Sequence, residues 1–422
     1  MTGPGLGRDR MIQGWLLVKG LSQAGDALWT VALAWTAVQI ASPAMAGLVV
    51  AAGTVPRAVV LLLGGVVADR HEARWVMVLV NTVRVAVLVV TAVWVLTAGT
   101  TVPVLLAAAV AFGVCDALYQ PSAATIARQL VPPDQLPAFT GASQTVIRIG
   151  SMAGAAIGGV VVAGWGLGGS AIANAITFAV VVGYLVLALR PRYPLPRAVP
   201  EPVLRSVASG FAHLRDEPTT RTLVLVLSGL NLAVSPALAL GVTLHAHDSG
   251  WGAHTVGVLQ ALVGLGAAAG ALTLLRWSPP REAVVGFWLL VLQGVAIAGI
   301  GLGSVVPTAI ACAVIGVTAG AASSLLGAVF QAMVDGAYLG RMASMLQIGD
   351  DVLMPVAMVG FGALAAGAGV AVACGVFGLT MAVLMLVPLT RPAVRRISLR
   401  ESATGVNTDA TQEEAATATL EV

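Results

Sequence analysis

Charge is the scarcest property of this sequence. Asp, Glu, Lys and Arg make up 10% of its 422 residues, whereas 58% of the residues are hydrophobic and the mean hydropathy is +0.93. Soluble domains carry roughly 25% charged residues, so this composition excludes a soluble globular protein. We expect a polytopic membrane protein.

The motifs of several other protein classes are also missing. The sequence contains no HExxH zinc motif, no GxSxG nucleophile motif and no GxxxxGK[ST] phosphate loop. Its three cysteines, Cys115, Cys312 and Cys374, lie in separate apolar runs without the spacing of a metal site or a disulfide framework. We therefore expect no catalytic residues, no cofactor and no bound metal, and a membrane-embedded enzyme is only a weak alternative.

What the sequence does contain is a series of twelve apolar runs, each near the roughly 20 residues that cross a bilayer. They predict an all-α membrane protein with 12 transmembrane helices in two pseudo-symmetric six-helix bundles, residues 1–190 and 222–390. The runs cover residues 12–36, 44–67, 76–97, 103–127, 141–163, 168–189, 222–245, 254–276, 283–303, 307–331, 342–366 and 370–389.

Two polar segments complete this organisation. Residues 191–221 are rich in Pro and Arg and include an amphipathic piece, which predicts a cytoplasmic linker with a helix on the membrane surface. Residues 391–422 are mostly polar and of low complexity, which predicts a disordered cytoplasmic tail.

Basic residues indicate the orientation in the membrane. If the spans alternate, the loop arginines all fall on one side, so both termini are expected in the cytoplasm. The same asymmetry accounts for the formal charge of +3 without a nucleic-acid partner. Arg occupies all but one of the 22 basic positions, which indicates a GC-rich genome. We therefore expect a multi-pass protein of a bacterial plasma membrane.

A charged turn, GGVVADRHEARW at residues 64–75, interrupts the apolar pattern between the second and third runs. The two groups of six runs and this turn together resemble the major facilitator superfamily. The turn motif of that superfamily reads Gly-x-x-x-Asp-Arg-x-Gly-Arg-Arg/Lys. The resemblance implies a cytoplasmic gate that holds the two halves together; the alternative is a set of ordinary loop charges. The matching residues are Gly65, Asp69, Arg70 and Arg74.

The fifth run contains a second motif, GSMAGAAIGG, that resembles the antiporter motif of the same superfamily. Ala155 replaces the proline of that motif. Small residues four positions apart allow close packing of membrane helices, and those expected to do so are Gly150, Gly154, Gly158 and Gly159. SQAGDALW and GVCDALYQPSAATIARQLVP further resemble the drug:proton antiporter branch of macrolide-efflux and enterobactin-exporter type transporters.

Ionisable residues near the middle of the first four runs are the main candidates for function. Asp26, Arg57, Arg84 and Asp116 would each cost several kcal/mol in the membrane unless paired or hydrated. They are expected to face one another, with Asp26 and Asp116 as proton-coupling candidates and the arginines as charge partners. Fixed ion pairs that only position helices are the alternative.

The eleventh run adds Asp350 and Asp351, which point about 100 degrees apart on a helix, so one of them is expected to face a cavity. Arg148 could be a charge partner for either, and pairing with Arg341 or water is an equal alternative. The histidines of HAHDSGWGAH are expected in a solvated loop rather than a metal site. Polar and aromatic candidates for the substrate cavity are Gln23, Trp29, Thr30, Tyr119, Asn231, Ser235 and Gln347.

The sequence thus predicts a proton-coupled secondary exporter of amphiphilic small molecules, either drugs or natural products. Alternating access of two halves would be powered by an ion gradient, because no ATP-binding loop is present. We expect a monomer in the lipid bilayer that handles substrate and protons. A siderophore exporter, or a lysophospholipid or other lipid transporter on the same scaffold, is the alternative.

Overall fold

The computed structural model describes residues 9–54, 56, 72–193, 218–274, 276–277, 279–333 and 339–395. Within these ranges all regular structure is helical and no strand occurs, which confirms the all-α class. At residues 218–220, 222–227, 331–333, 339–352 and 393–394 only the backbone is described.

The helices and one π-helix follow one another with short connections. They are α1 (Arg10–Ile40), α2 (Pro43–Ala52), α3 (Ala73–Ala98), α4 (Val102–Leu130), α5 (Leu136–Leu187), α6 (Pro218–Pro236), the π-helix (Ala237–Gly241), α7 (Val242–Asp248), α8 (Ala253–Thr273), α9 (Glu282–Ala298), α10 (Val305–Met333), α11 (Leu339–Ala368), α12 (Val370–Thr390) and α13 (Pro392–Arg395).

Seven helices of the described chain are long and apolar enough to cross a membrane. They comprise Ala73–Ala98, Val102–Leu130, Leu136–Leu187, Ser228–Asp248, Ala253–Thr273, Val305–Phe330 and Val370–Thr390. Shorter apolar helices occur at Pro43–Ala52, Glu282–Ala298 and Leu353–Ala368. This composition fits a multi-pass membrane protein.

Helix α5 is interrupted in the middle. Its 52 residues would measure about 78 Å if straight, more than twice the roughly 30 Å thickness of the bilayer core. Gly166 breaks the helix with φ 61° and ψ −163°, a conformation that is almost confined to glycine. We call residues 136–165 and 167–187 the first and second arms of α5.

Contacts with α1 give the direction of the two arms. Along the first arm, Gly150 lies against Gly20 and Gly158 lies against Leu28, so this arm runs parallel to α1. On the second arm, Asn174 lies beside Gly25, and the Tyr184 hydroxyl donates to the Met11 carbonyl at 2.5 Å. The pairing order is therefore reversed, and the chain turns back at Gly166.

The glycines of the first arm let backbone approach backbone. A Cβ at Gly158 would lie 2.8 Å from Leu28 Cα, and one at Gly154 would lie 2.6 Å from Ala24 Cα. Gly159 points to a different neighbour, because a Cβ there would lie 2.7 Å from the Ala253 carbonyl oxygen of α8. Gly150, Gly154 and Gly158 thus pack on α1, whereas Gly159 packs on α8.

Gly154→Ala is expected to destabilise the protein by about 1–3 kcal/mol, since the methyl group would overpack the contact with Ala24. Gly164→Ala on the same arm is the matched control, because a Cβ there meets nothing within 4 Å. Thermal unfolding of the purified variants in one detergent measures the difference. Equal melting temperatures for the two variants would contradict a tight α1–α5 contact.

The segments on either side of the 194–217 gap contact each other at one end of the molecule. Besides Gly159 with α8, Gly47 of α2 packs against α11, where a Cβ would lie 2.8 Å from the Met358 carbonyl oxygen. The rings of Trp35 and His247 also meet there, edge to face, with centroids 6.2 Å apart. We call this end, with the α1–α2 and α7–α8 connections, the closed end.

At the opposite end, Asp9 joins the start of α1 to the chain that follows α5. Its Oδ1 accepts hydrogen bonds from the backbone N–H groups of Met11, at 3.0 Å, and Ile12, at 3.3 Å, and so caps α1. The Arg192 guanidinium forms an ion pair with the same carboxylate and holds the pKa of Asp9 below its usual range.

Candidate transport site

A buried ion pair lies between α3 and α4. Arg84 is 1% exposed and pairs with Asp116. Its guanidinium carbon lies 5.0 Å from the ring centroid of Tyr119 and 4.9 Å from that of Phe178, distances at which a cation is attracted to an aromatic face. Asn81, one turn before Arg84 on α3, accepts a further long hydrogen bond from the guanidinium at 3.4 Å. Salt bridge and rings together hold Arg84 in place.

Asp26 of α1 approaches this pair without touching it. Its charge interacts with those of Arg84 and Asp116, but its carboxylate has no hydrogen bond or ion pair within the described residues. The group therefore contains two acids and one base. Because Asp116 already contacts the base, Asp26 is the acid that can gain or lose a proton without breaking an ion pair.

A cavity of about 450 Å³ lies close to Asp26, between α1, the first arm of α5, the α6–π-helix region and α8. Such a volume falls in the range of sites for drug-sized ligands. Its lining is mostly apolar with a few polar groups. Polar lining residues are Thr30, Arg148, Ser151, Ser235, Thr243 and Gln260, and large apolar ones are Val31, Ile147, Met152, Leu238, Val256 and Val263.

The π-helix shapes one wall of this cavity. It follows Pro236, and its Leu238 and Ala239 line the cavity. Gln260 Nε2 of α8 donates to the Leu238 carbonyl at 2.6 Å, which satisfies a backbone acceptor in the irregular turn. π-Turns inside α-helices are frequent at functional sites. Neither this turn nor the role of Gln260 was predicted from the sequence. The signal for an irregular turn was Pro236, which lies inside an apolar run.

The sequence model of the Major Facilitator Superfamily matches residues 16–347, which is most of the chain. The protein belongs to the major facilitator superfamily. Membership and fold indicate a transporter rather than an enzyme. A comparison with curated protein sequences gives no significant match.

Solved structures of the superfamily fold agree with this assignment. The nucleoside transporter NupG aligns with a TM-score of 0.68 at 15% identity and covers 92% of this chain and 100% of its own. A bacterial homologue of the iron transporter ferroportin, in an inward-facing state, aligns with 0.69 at 14% identity, covering 89% and 98%. A bacterial homologue of the lysosomal transporter Spinster aligns with 0.62 at 15% identity, covering 93% and 97%. At these identities the similarity concerns the fold alone.

Of the four predicted gate residues in the turn motif, Arg74 lies among the residues that the structure describes. Arg74 Nε and Nη2 donate to the Leu185 and Val186 carbonyls, both at 2.7 Å, at the end of α5. Carbonyls in the last turn of a helix have no hydrogen-bond donor within that helix. Arg74 supplies donors for two of them and so connects α3 to the second arm of α5. Gly65, Asp69 and Arg70 lie outside the described residues, as does the predicted charge partner Arg57.

The predicted cavity residues, and the charged candidates near them, differ in where the structure places them. Thr30 and Ser235 line the cavity, as does Arg148, predicted as a charge partner. Trp29 instead stacks on Phe112 with centroids 5.6 Å apart, and Tyr119 lies against Arg84. Gln23, which faces Gly150, and Asn231 of α6 are outside the described cavity lining. For Gln347, Asp350 and Asp351 the structure describes the backbone, which lies in α11, but not the side chains.

The histidine-rich connection lies at the closed end. His245 Nε2 is 3.1 Å from the Gly303 carbonyl oxygen, and its ring meets Trp251 edge to face at 4.9 Å. In the described part of the chain no three His, Cys, Asp or Glu side chains gather as metal ligands would. His245 is buried at this end, whereas the side chains of His247 and His254 are exposed.

Proposed function

We propose that this protein is a proton-coupled secondary exporter of amphiphilic small molecules, in the drug:proton antiporter branch of the superfamily. The observation that carries the proposal is the group of Arg84, Asp116 and Asp26. Asp26 precedes the cavity-lining Ala27 on α1 and is the acid without direct contact within the described residues. An acid in that position can bind a proton that neutralises the group. Exchange of this proton would couple the ion gradient to the state of the transporter.

Alternating access requires two halves that move relative to each other. We propose 12 spans in two six-helix bundles, residues 1–190 and 222–390, with the linker 191–221 and the tail 391–422 in the cytoplasm. In support, the two arms of α5 give two antiparallel spans, and within the described residues the segments before and after the linker meet at the closed end. Substrate would enter the cavity from the opposite end.

Orientation follows from the loop arginines. With both termini in the cytoplasm of a bacterium, the closed end faces outward, and the cavity opens to the cytoplasm. Of the proposed cytoplasmic gate, Gly65, Asp69, Arg70 and Arg74, the structure describes Arg74, which contacts α5 of its own half. We infer that the gate pairs with the second half only when the transporter faces outward.

The amphiphile class is supported by the lining of the cavity. Val31, Met152 and Leu238 offer an apolar wall, and hydroxyl groups of Thr30 and Ser235 lie in the same cavity. Pockets of this kind bind ligands through apolar area and use a few polar groups for orientation. Siderophore export and lipid transport on the same scaffold are distinguished by which substrate accumulates in the experiment below.

Uptake of amphiphilic dyes into inverted membrane vesicles tests the proposal. Vesicles that contain the protein and carry an inward-acid proton gradient are expected to accumulate dye above the level of empty vesicles, and a protonophore is expected to remove the difference. Uptake that survives the protonophore would contradict proton coupling. If no dye is accumulated, but a siderophore or lysophospholipid is, the substrate class changes and the coupling argument stands.

A further inference from the structure

One charged side chain lines the central cavity. Among the described lining residues Arg148 is the only one that can ionise, and all the others are neutral. Arg148 is exposed to the cavity and has no hydrogen bond or ion pair within the described part of the chain. An arginine stays protonated under all physiological conditions. The described surface of the cavity therefore carries a positive charge without a visible counterion.

Further hydrogen-bond donors lie around Arg148. Ser151 is three residues later on α5 and shares its helix face, and Ser235 lines the cavity from α6. Neither serine hydroxyl has a partner among the described residues. By contrast, the hydroxyls of Thr30 and Thr243 donate to the backbone carbonyls four residues earlier, at 2.8 and 2.7 Å. Within the described part of the chain, the lining donors without a partner are therefore Arg148, Ser151 and Ser235.

We propose that the transported amphiphile carries an anionic head group, a carboxylate, sulfonate or phosphate, that binds Arg148 together with Ser151 and Ser235, while its apolar body lies against Val31, Met152 and Leu238. A guanidinium fork matches the geometry of these anions. A cationic amphiphile would instead be repelled by the same side chain. This inference rests on the proposed function, because it names the substrate class of the same cavity.

Binding of three matched probes to the protein in lipid nanodiscs tests the inference. Phenylbutyrate, phenylbutanol and phenylbutylamine share one apolar body and differ in the charge of the head group at pH 7. The wild-type protein is expected to bind phenylbutyrate about tenfold more tightly than phenylbutanol, a factor worth ~1.4 kcal/mol, and to bind phenylbutylamine most weakly. Isothermal titration gives the three dissociation constants.

Variants assign the preference to Arg148. In Arg148→Gln the gap between phenylbutyrate and phenylbutanol is expected to close, and in Arg148→Lys part of it should remain, since lysine keeps the charge but not the planar fork. Arg128→Gln is the matched control, because Arg128 lies in the last turn of α4, outside the described cavity lining. It is expected to keep the full preference.

Four results would overturn the inference: equal binding of all three probes by wild type, preferential binding of the amine, an anion preference that survives in Arg148→Gln, or no binding of any of the three probes. If wild type shows no preference and Asp350→Asn or Asp351→Asn creates one, Arg148 is neutralised by α11 instead. Proton-driven uptake is measured separately, so anion binding without gradient-driven transport would contradict the proposed function and leave this inference intact.

Discussion

Asp26→Asn is expected to reduce proton-driven substrate uptake to the level seen with a protonophore. Asparagine has the shape of the protonated acid but cannot release a proton, so the variant is held in the equivalent of the proton-loaded state. The group around Arg84 then has one base and one acid and stays neutral. The variant is therefore expected to fold and to bind substrate.

Substrate counterflow without a proton gradient separates loss of coupling from loss of function. Asp26→Asn should still exchange labelled for unlabelled substrate, at a rate that no longer depends on pH, because asparagine does not ionise. Asp134→Asn, in the exposed α4–α5 connection, is the matched control and should behave as wild type. Protonophore-sensitive uptake by Asp26→Asn would refute the assignment of the proton site.

Much of the helical framework could be predicted from apolar runs alone. The run at 76–97 corresponds to α3, Ala73–Ala98, and the run at 370–389 corresponds to α12, Val370–Thr390. These runs end at polar or glycine-rich connections, and a membrane span has a fixed minimum length. The predicted gap between residues 163 and 168 likewise contains the break at Gly166.

The irregular parts of the site could not be predicted in this way. Hydropathy does not distinguish the π-helix at Ala237–Gly241 from the α-helix around it, because both present the same apolar residues. Gln260 donates to the Leu238 carbonyl of this turn, and these residues are 22 positions apart in the sequence. A turn held by tertiary contacts leaves no periodic signal.

Depth and helix spacing identified charged residues, but not their contacts. Lys19, Asp26 and Thr30 share one face of α1 by spacing, yet Lys19 donates to Ser143 of α5 at 2.6 Å and Thr30 lines the cavity. Trp29 was a cavity candidate and is instead 3% exposed, stacked on Phe112. Which neighbour a buried side chain meets depends on how helices pack, which one sequence does not specify.

The second large effect is expected from Arg84→Met, which removes the base of the buried group. Two carboxylates would then lie close together with no cation, and the rings of Tyr119 and Phe178 would lose their partner. Loss of one member of a buried pair costs roughly 3–5 kcal/mol, and the partial exposure of Asp116 places this case near 3. Thermal unfolding in detergent and the yield of monodisperse protein measure the loss.

A double variant decides whether the cost comes from charge or from packing. If the unpaired Asp116 carboxylate causes the instability, Arg84→Met combined with Asp116→Asn should recover most of the lost stability, because the carboxylate that contacts Arg84 is neutralised together with it. If the contacts with Tyr119 and Phe178 dominate, the double variant stays as unstable as Arg84→Met alone. Recovery of stability without recovery of proton-driven uptake would then place the Arg84–Asp116 pair in the coupling group as well as in the fold, because Asp26 would have lost both charges with which it interacts.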